Sequence, residues 1–144
     1  MSSAIKDEWL TAEGRHEGQR LIVRLNTGVG SLVAHKKYPF RIGIAIPFNS
    51  PQENGLPNKD ELQRFERIED TIFNRFQVDE TAVLCAILTT NGMREFILYS
   101  QIDDISTMLE DVSSHFSEYN FQRNVEQDAD WQEYAYWAKR LGQQ

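Results

Sequence analysis

Residues 40–48 read Phe-Arg-Ile-Gly-Ile-Ala-Ile-Pro-Phe, and this alternating stretch decides the fold class. Phenylalanine and isoleucine occupy every second position, while Arg41 and mostly small residues lie between them. Such alternation is typical of a β-strand with one face in the core. We predict a strand over residues 38–48 that ends, or lacks a partner on one side, at Pro47. The small residues let another element approach its second face closely.

The residues that follow predict a helix packed on that strand. Residues 49–58 have the Asn, Ser, Pro and Gly content of a loop. Asn58, with Glu61 three residues later, matches a helix N-cap of the capping-box type. Apolar residues then recur at spacings of three and four, which gives the helix one apolar stripe. They are Leu62, Phe65, Ile68, Ile72 and Phe76.

Two paired strands follow this helix. The apolar run over residues 81–89 indicates a buried strand. Asn91-Gly92 comes next and is the strongest short hairpin signal, because both residues tolerate positive φ. The chain is therefore expected to return as an antiparallel strand over residues 94–100.

A second helix and a further strand complete the pattern. The helix spans about residues 103–116, and a strand over 119–126 follows it. The order of elements over residues 38–126 is then β-α-β-β-α-β, the split βαβ order of a ferredoxin-like sandwich. We predict an α+β fold in which two helices cover one face of an antiparallel sheet. The inward residues of the second helix are Ile105, Met108, Leu109, Val112 and Phe116.

The two ends of the chain add to this core. Residues 9–26 predict an N-terminal hairpin, and residues 128–142 predict a C-terminal helix capped by Asp128 or Asp130. Residues 1–7 are polar, and we expect them to be flexible. The 144-residue length suits a single domain.

Aromatic residues are dense in the C-terminal helix. Trp131, Tyr134 and Trp137 have the spacing of a core-facing stripe. Tyr136 points elsewhere on such a helix, so we expect it to contact a partner, since tyrosine is enriched in interface hot spots.

Composition limits the classes of partner. The chain has 15 basic and 22 acidic residues, a net charge of −7, and no run of basic residues. Because nucleic-acid affinity comes largely from Lys and Arg that neutralise phosphates, we expect no direct nucleic-acid binding and instead a basic protein partner. No apolar segment is long enough to span a bilayer, and the first residues lack the apolar stretch of a signal peptide. We expect a cytoplasmic protein with no membrane partner, in which the single cysteine, Cys85, is a buried small apolar residue.

The usual catalytic and cofactor motifs are not evident. His16, His35 and His115 show no metal-ligand spacing, so we interpret them as surface histidines. Residues 26–31 resemble a glycine-rich phosphate loop but lack its third glycine and its Lys-Ser/Thr ending, and we predict a mobile loop between strands. No nucleophile motif is present. The expectation is a protein without catalytic residues, metal or cofactor.

Carboxylates on both predicted helices are the first candidate site. Glu66 and Asp70 lie on the first helix, and Glu110 and Asp111 lie on the second. One interpretation is a solvated acidic face of the kind common on soluble proteins. The other is a patch that attracts a basic partner and speeds its association.

Two arginines are the second candidate site. Arg24 and Arg94 each lie in a predicted strand with apolar neighbours, where an arginine must reach water or a carboxylate. Glu69 borders the apolar stripe of its helix, so a structural ion pair with one of these arginines is the first interpretation. An anionic ligand held between the two arginines is the alternative.

A set of short fragments resembles a known family. They are Arg24-Leu25-Asn26, Asn54-Gly55-Leu56-Pro57, Ile68-Glu69-Asp70, Leu88-Thr89-Thr90-Asn91-Gly92-Met93-Arg94-Glu95-Phe96 with Tyr99, and Asp128-Ala129-Asp130-Trp131 with Tyr134. In this order they are similar to the bacterial domain-of-unknown-function family six-nine-five. That resemblance implies a ferredoxin-like fold and carries no reaction with it. A looser similarity, to the acidic regulator B of ribonuclease E, implies only that such a sandwich can act by covering another protein.

Two functions of different class follow. The first is a non-enzymatic regulator or inhibitor, of the immunity or nuclease-regulator type, whose acidic surface docks a basic protein. The second is a small-molecule or anion-binding domain, or an enzyme with dispersed residues, centred on Arg24 and Arg94. A homodimer formed through an edge strand is compatible with either function.

Overall fold

The computed structural model describes residues 8–49, 52–78 and 80–142, so the predicted flexible segment 1–7 lies outside the described residues. Within them, one antiparallel sheet has the strand order β1-β2-β4-β5-β3-β6. The strands are β1 Trp9–His16, β2 Gln19–Asn26, β3 Phe40–Pro47, β4 Ala82–Thr90, β5 Met93–Ser100 and β6 Gln122–Gln127.

Helices lie on both sides of this sheet. They are α1 Lys59–Ile72 with a π-helical extension Phe73–Gln77, α2 Ser106–Ser113, α3 Gln132–Arg140 and a 3₁₀ helix Thr27–His35. The α+β class, the N-terminal hairpin and the C-terminal helix are confirmed. From β3 to β6 the elements follow the order β-α-β-β-α-β, as the sequence predicts.

We call the sheet face that carries Ile42, Ile44 and Ile46 the first face, and α1 and α2 cover it. These three isoleucines are fully buried among side chains of both helices. The alternation in β3 therefore predicts its core-facing residues correctly. The apolar stripes of α1 and α2 also predict the buried side chains, with one exception. The inward residues that are confirmed are Phe65, Ile68, Ile72, Phe76, Ile105, Met108, Leu109, Val112 and Phe116.

The exception lies at the start of α1. Leu62, predicted to point inward, is 39% exposed, whereas Glu61 is fully buried. Asn58 caps the helix as predicted, since its side chain accepts from the Glu61 backbone N–H at 2.8 Å. The Glu61 carboxylate accepts from the Asn49 backbone N–H at 2.7 Å and from the Tyr119 hydroxyl at 2.8 Å. These two donors make the burial of Glu61 tolerable and rotate Leu62 outward.

The second face of the sheet, which carries Arg41 and Gly43, is also covered in large part. Residues 26–31 were predicted to be a mobile loop, and that prediction is wrong: Asn26 ends β2, and the 3₁₀ helix begins at Thr27. Asn26 caps the helix through the Gly28 N–H at 3.0 Å and donates to the Leu84 carbonyl at 3.0 Å. Val29 is fully buried, so apolar contact fixes a segment that its glycines suggested would move.

A β-bulge interrupts the alternation of side chains along β4, which is buried on both faces. Leu84 pairs with Leu98 and Ala86 pairs with Ile97, which leaves Cys85 as an extra residue. Cys85 is fully buried, as expected, and burial raises the pKa of its thiol. Because the bulge shifts the alternation by one residue, Leu84 and Ile87 both belong to the first-face core.

Asp128, and not Asp130, caps α3. Its two carboxylate oxygens accept from the Gln132 N–H at 2.7 Å and the Glu133 N–H at 3.2 Å. The same carboxylate accepts from the Tyr99 hydroxyl at 2.7 Å. Tyr99 in turn stacks on the fully buried Trp131, with ring centroids 4.2 Å apart. Asp128 thus joins the start of α3 to β5.

We predict that Asp128→Ala lowers the free energy of unfolding by about 1–3 kcal/mol, because it removes a helix cap and the acceptor of a partly buried hydroxyl. Urea denaturation of the purified protein measures this. Asp130→Ala is the matched control, since the one side-chain contact of Asp130 with the described residues is an exposed one, with Lys36 at 3.7 Å. It should change stability by less than about 0.5 kcal/mol. Equal losses in the two variants would contradict the assignment of the cap.

Candidate functional site

The four predicted acidic residues lie on the helices of the first face. Glu66 and Asp70 are exposed on α1, and Glu110 and Asp111 are exposed on α2. Arg75 partly neutralises the charge of Asp111, because its Nε lies 3.0 Å from Asp111 Oδ2. Among the described residues Glu66, Asp70 and Glu110 form no salt bridge, and they supply most of the negative charge of this set; two of the three, Glu66 and Asp70, lie on α1.

Exposed apolar side chains accompany those two carboxylates. Leu62 is 39% exposed and Phe73 is 42% exposed. The spacing of residues 62, 66, 70 and 73 follows the three-and-four period of a helix, so the four side chains form one stripe along α1 and its extension. We call Leu62, Glu66, Asp70 and Phe73 the α1 stripe. Sequence reasoning missed its apolar part because Leu62 was expected to be buried.

Tyr136 lies on the other side of the molecule. It belongs to α3, which packs on the second face, and its side chain is 52% exposed, as its position off the aromatic stripe predicted. The guanidinium of Arg140 lies 5.3 Å from its ring centroid. A flat partner surface that touches Glu66 would not reach Tyr136, so these predicted contacts belong to two different surfaces.

The two predicted arginines meet beneath α1. Arg24 Nη1 lies 2.8 Å from Glu69 Oε1, and its guanidinium lies 4.8 Å from the Trp9 ring centroid. Arg94 is 7% exposed, donates from Nε to the Thr89 hydroxyl at 2.9 Å and lies over the Phe65 ring. The ion pair expected for Glu69 is thus present with Arg24.

Arg94 is electrostatically part of the same cluster. Burial lowers the pKa of Arg94 to about 10. The negative charge of Glu69 opposes this change, whereas the positive charge of Arg24 adds to it. Glu69 therefore faces two guanidinium groups. The arrangement favours a structural role for both arginines over a site for an anionic ligand, because the carboxylate already occupies the place such a ligand would take.

We predict that Glu69→Gln lowers the free energy of unfolding by about 1–3 kcal/mol, because it removes the ion-pair partner of the part-buried Arg24 and an attraction on the buried Arg94. Glu110→Gln is the matched control: the same charge is lost at an exposed position on α2. It should change stability by less than about 0.5 kcal/mol. Thermal or urea unfolding compares the two, and an equally stable Glu69→Gln protein would argue against the structural role.

A second cluster of charged groups, which the sequence did not indicate, lies on the second face. Arg41 is 7% exposed, and its guanidinium contacts Glu126 Oε1 at 3.1 Å, Glu133 Oε1 at 3.2 Å and Asn124 Oδ1 at 2.9 Å. These partners come from β6 and α3. Desolvation of Arg41 is outweighed by its carboxylates, above all Glu133, so its pKa is raised.

Glu95 is the unusual member of this cluster. Among the described residues its carboxylate takes part in no hydrogen bond or ion pair, although Arg41 and Glu133 are close enough to influence it. The carboxylate approaches Gly43 so closely that a Cβ atom at residue 43 would collide with it. Burial, followed by repulsion from Glu133, raises the pKa of Glu95, and Arg41 offsets this only in part.

The raised pKa gives a pH-dependent prediction. Because the folded protein binds a proton at Glu95 more readily than the unfolded chain, stability falls as the pH rises from the ordinary glutamate pKa of about 4.3 through the raised folded pKa. Glu95→Gln stays neutral, so it should be more stable than wild type at about pH 7 and lose that advantage at about pH 4. Urea denaturation at both pH values measures this.

Glu118→Gln is the control for that experiment. It removes a carboxylate from an exposed side chain, and it should show no comparable gain at neutral pH. A Glu95→Gln protein less stable than wild type at neutral pH would mean that the attraction of Arg41 outweighs the burial of the carboxylate.

Metal and membrane sites receive no support from the described part of the chain. No group of three or more His, Cys, Asp or Glu side chains between residues 8 and 142, leaving aside 50, 51 and 79, could hold a metal ion. None of the described helices combines the length and the apolar character that crossing a bilayer requires. His16 and His115 are exposed, as expected.

Comparison with known proteins agrees with the resemblance carried by the short fragments. Curated proteins and solved structures offer no match to the chain. A family described as a family of unknown function, DUF695, matches residues 7–137. That match takes in all six strands and most of α3. The chain therefore belongs to the DUF695 family.

Proposed function

We propose that the protein is a non-enzymatic binding protein, a regulator or inhibitor, that docks a basic protein partner through the α1 stripe. The observation that carries the proposal is the exposure of Leu62 and Phe73 on either side of Glu66 and Asp70. Two exposed apolar side chains on the same stripe as two carboxylates support a docking surface over a purely solvated acidic face. Glu110 and Asp111 on α2 extend the acidic surface beside the stripe.

A basic partner with its own apolar anchors fits these features. A net charge of −7 steers a positively charged protein towards the surface from a distance. Glu66 and Asp70 would then pair with basic side chains at short range, while Leu62 and Phe73 fill apolar positions of the partner. The carboxylates mainly set the association rate, and the apolar pair mainly sets the lifetime of the complex.

We also infer that β3 to β6 form a ferredoxin-like core. The strand order β4-β5-β3-β6 places β5 between the two strands that α1 connects, and α1 and α2 lie on the same face. Both features support the inference. The hairpin β1-β2 then extends this core at the β4 edge.

The docking proposal is tested with a basic amphipathic peptide built from Leu and Lys and with polylysine as a charge-only probe. We expect the amphipathic peptide to bind more tightly than polylysine of equal charge. Glu66→Lys should weaken its binding about tenfold at low salt and by less at high salt, since the interaction is screened. Surface plasmon resonance should show the loss mainly in the association rate.

Asp130→Lys is the matched control, because it makes the same change of charge on the side of the sheet that α3 covers. Leu62→Ser combined with Phe73→Ser should shorten the lifetime of the complex without removing its salt dependence. The proposal fails if Asp130→Lys weakens binding as much as Glu66→Lys, or if polylysine binds as well as the amphipathic peptide.

A further inference from the structure

A cavity of about 480 Å³ opens on the second face, between α3 and the sheet. Leu21, Leu88 and Met93 line it from β2, β4 and β5, and Tyr136 and Trp137 line it from α3. Its volume lies within the range of small-molecule sites. The cavity thus offers an apolar floor and two aromatic side chains in a space large enough for a ligand.

Glu95 places a carboxylate in the wall of this cavity. This carboxylate has no hydrogen-bond or ion-pair partner among the described residues. The carboxylate oxygens remain accessible from the cavity, and a positively charged donor there would form a charge-assisted hydrogen bond with them. Arg41 attracts this carboxylate from beside Gly43 but forms no ion pair with it, and its Nε and Nη2 contact Glu133, Glu126 and Asn124 instead.

The remaining charges around the cavity have the same sign. Glu17 lines its mouth beside His16, and no Lys or Arg is among the lining residues. An anionic ligand would meet two carboxylates there. A neutral apolar ligand would bury Glu95 further without pairing it. A cation is attracted by both carboxylates and can pair with Glu95. Aromatic rings also attract cations through their faces.

We propose that this cavity binds an organic cation whose ammonium or guanidinium group pairs with Glu95 and whose apolar body lies against Trp137 and the apolar floor. The same chemistry is offered by a free amine and by a Lys or Arg side chain of another protein. The site lies on the sheet face opposite the α1 stripe, so it does not depend on the proposed docking function.

Trp137 provides a local signal for the test. Its indole Nε1 donates to Glu133 at 3.3 Å, and its side chain lines the cavity, so the indole N–H resonance should respond to a ligand. Trp137→Phe assigns that resonance. The free-amine probe is phenethylammonium, the side-chain probes are N-acetyl-lysine and N-acetyl-arginine methylamides, and 2-phenylethanol is the neutral analogue of the first probe.

We expect saturable shifts of the Trp137 resonance with at least one cation, and at least about tenfold weaker binding of 2-phenylethanol than of phenethylammonium, given the usual strength of a hydrogen bond to a charged group. Glu95→Gln should abolish the preference for the cation over the alcohol. Glu118→Gln, which makes the same charge change at an exposed position, should retain that preference.

Tighter binding of the methylamides than of phenethylammonium would indicate a protein side chain as the natural occupant, and the reverse would indicate a free amine.

Three results would overturn the proposal: no saturable shift with any of the cations, equal affinity for cation and alcohol in the wild-type protein, or an unchanged preference in Glu95→Gln. The spectrum of Glu95→Gln shows whether that variant is folded. We expect a folded variant, because glutamine removes a carboxylate whose charge burial disfavours. Failure of the peptide experiment on the α1 stripe leaves these expectations unchanged, because its variants lie on the other face.

Discussion

Apolar side chains on both faces of β4 and β5 impose the architecture of this protein. From Ala82 to Ile87 every residue of β4 is buried, and Phe96 to Ser100 are buried in β5. A strand of this kind must be covered on both sides, because exposing either face would leave a large apolar area in water. The helices α1 and α2 cover one side, and the 3₁₀ helix and α3 cover the other.

Local patterns were sufficient to predict most of the elements. The alternation around Ile44 and the three-and-four spacing of α1 and α2 gave the strands, the helices and most of the first-face core. They failed for Leu62, since the hydrogen bonds from Asn49 and Tyr119 hold Glu61 inside and turn Leu62 outward. Those donors are separated from Glu61 by 12 and 58 residues, so the helix pattern could not indicate them.

The second face was harder to predict, for a physical reason. Its cover combines a glycine-containing segment near Val29 with α3, more than 100 residues further along the chain. Glycine content suggested mobility, whereas contact with Tyr134 and the sheet fixes the segment. The cluster of Arg41, Glu95 and Glu133 is likewise formed by strand register and helix packing. Arg24 and Glu69 were easier to pair, since Arg24 lies in an otherwise apolar strand and Glu69 borders the apolar stripe of its helix.

The β-bulge places the only cysteine of the chain at the centre of the sheet, fully enclosed. An alkylating reagent can reach the Cys85 sulfur only when β4 separates from its neighbours, and the neutral thiol that burial favours is the unreactive form. The kinetics of chemical modification at this single sulfur therefore follow the opening of the central strands and not the fraying of the periphery. The rate of Cys85 alkylation therefore reports how often β4 separates from the neighbouring strands.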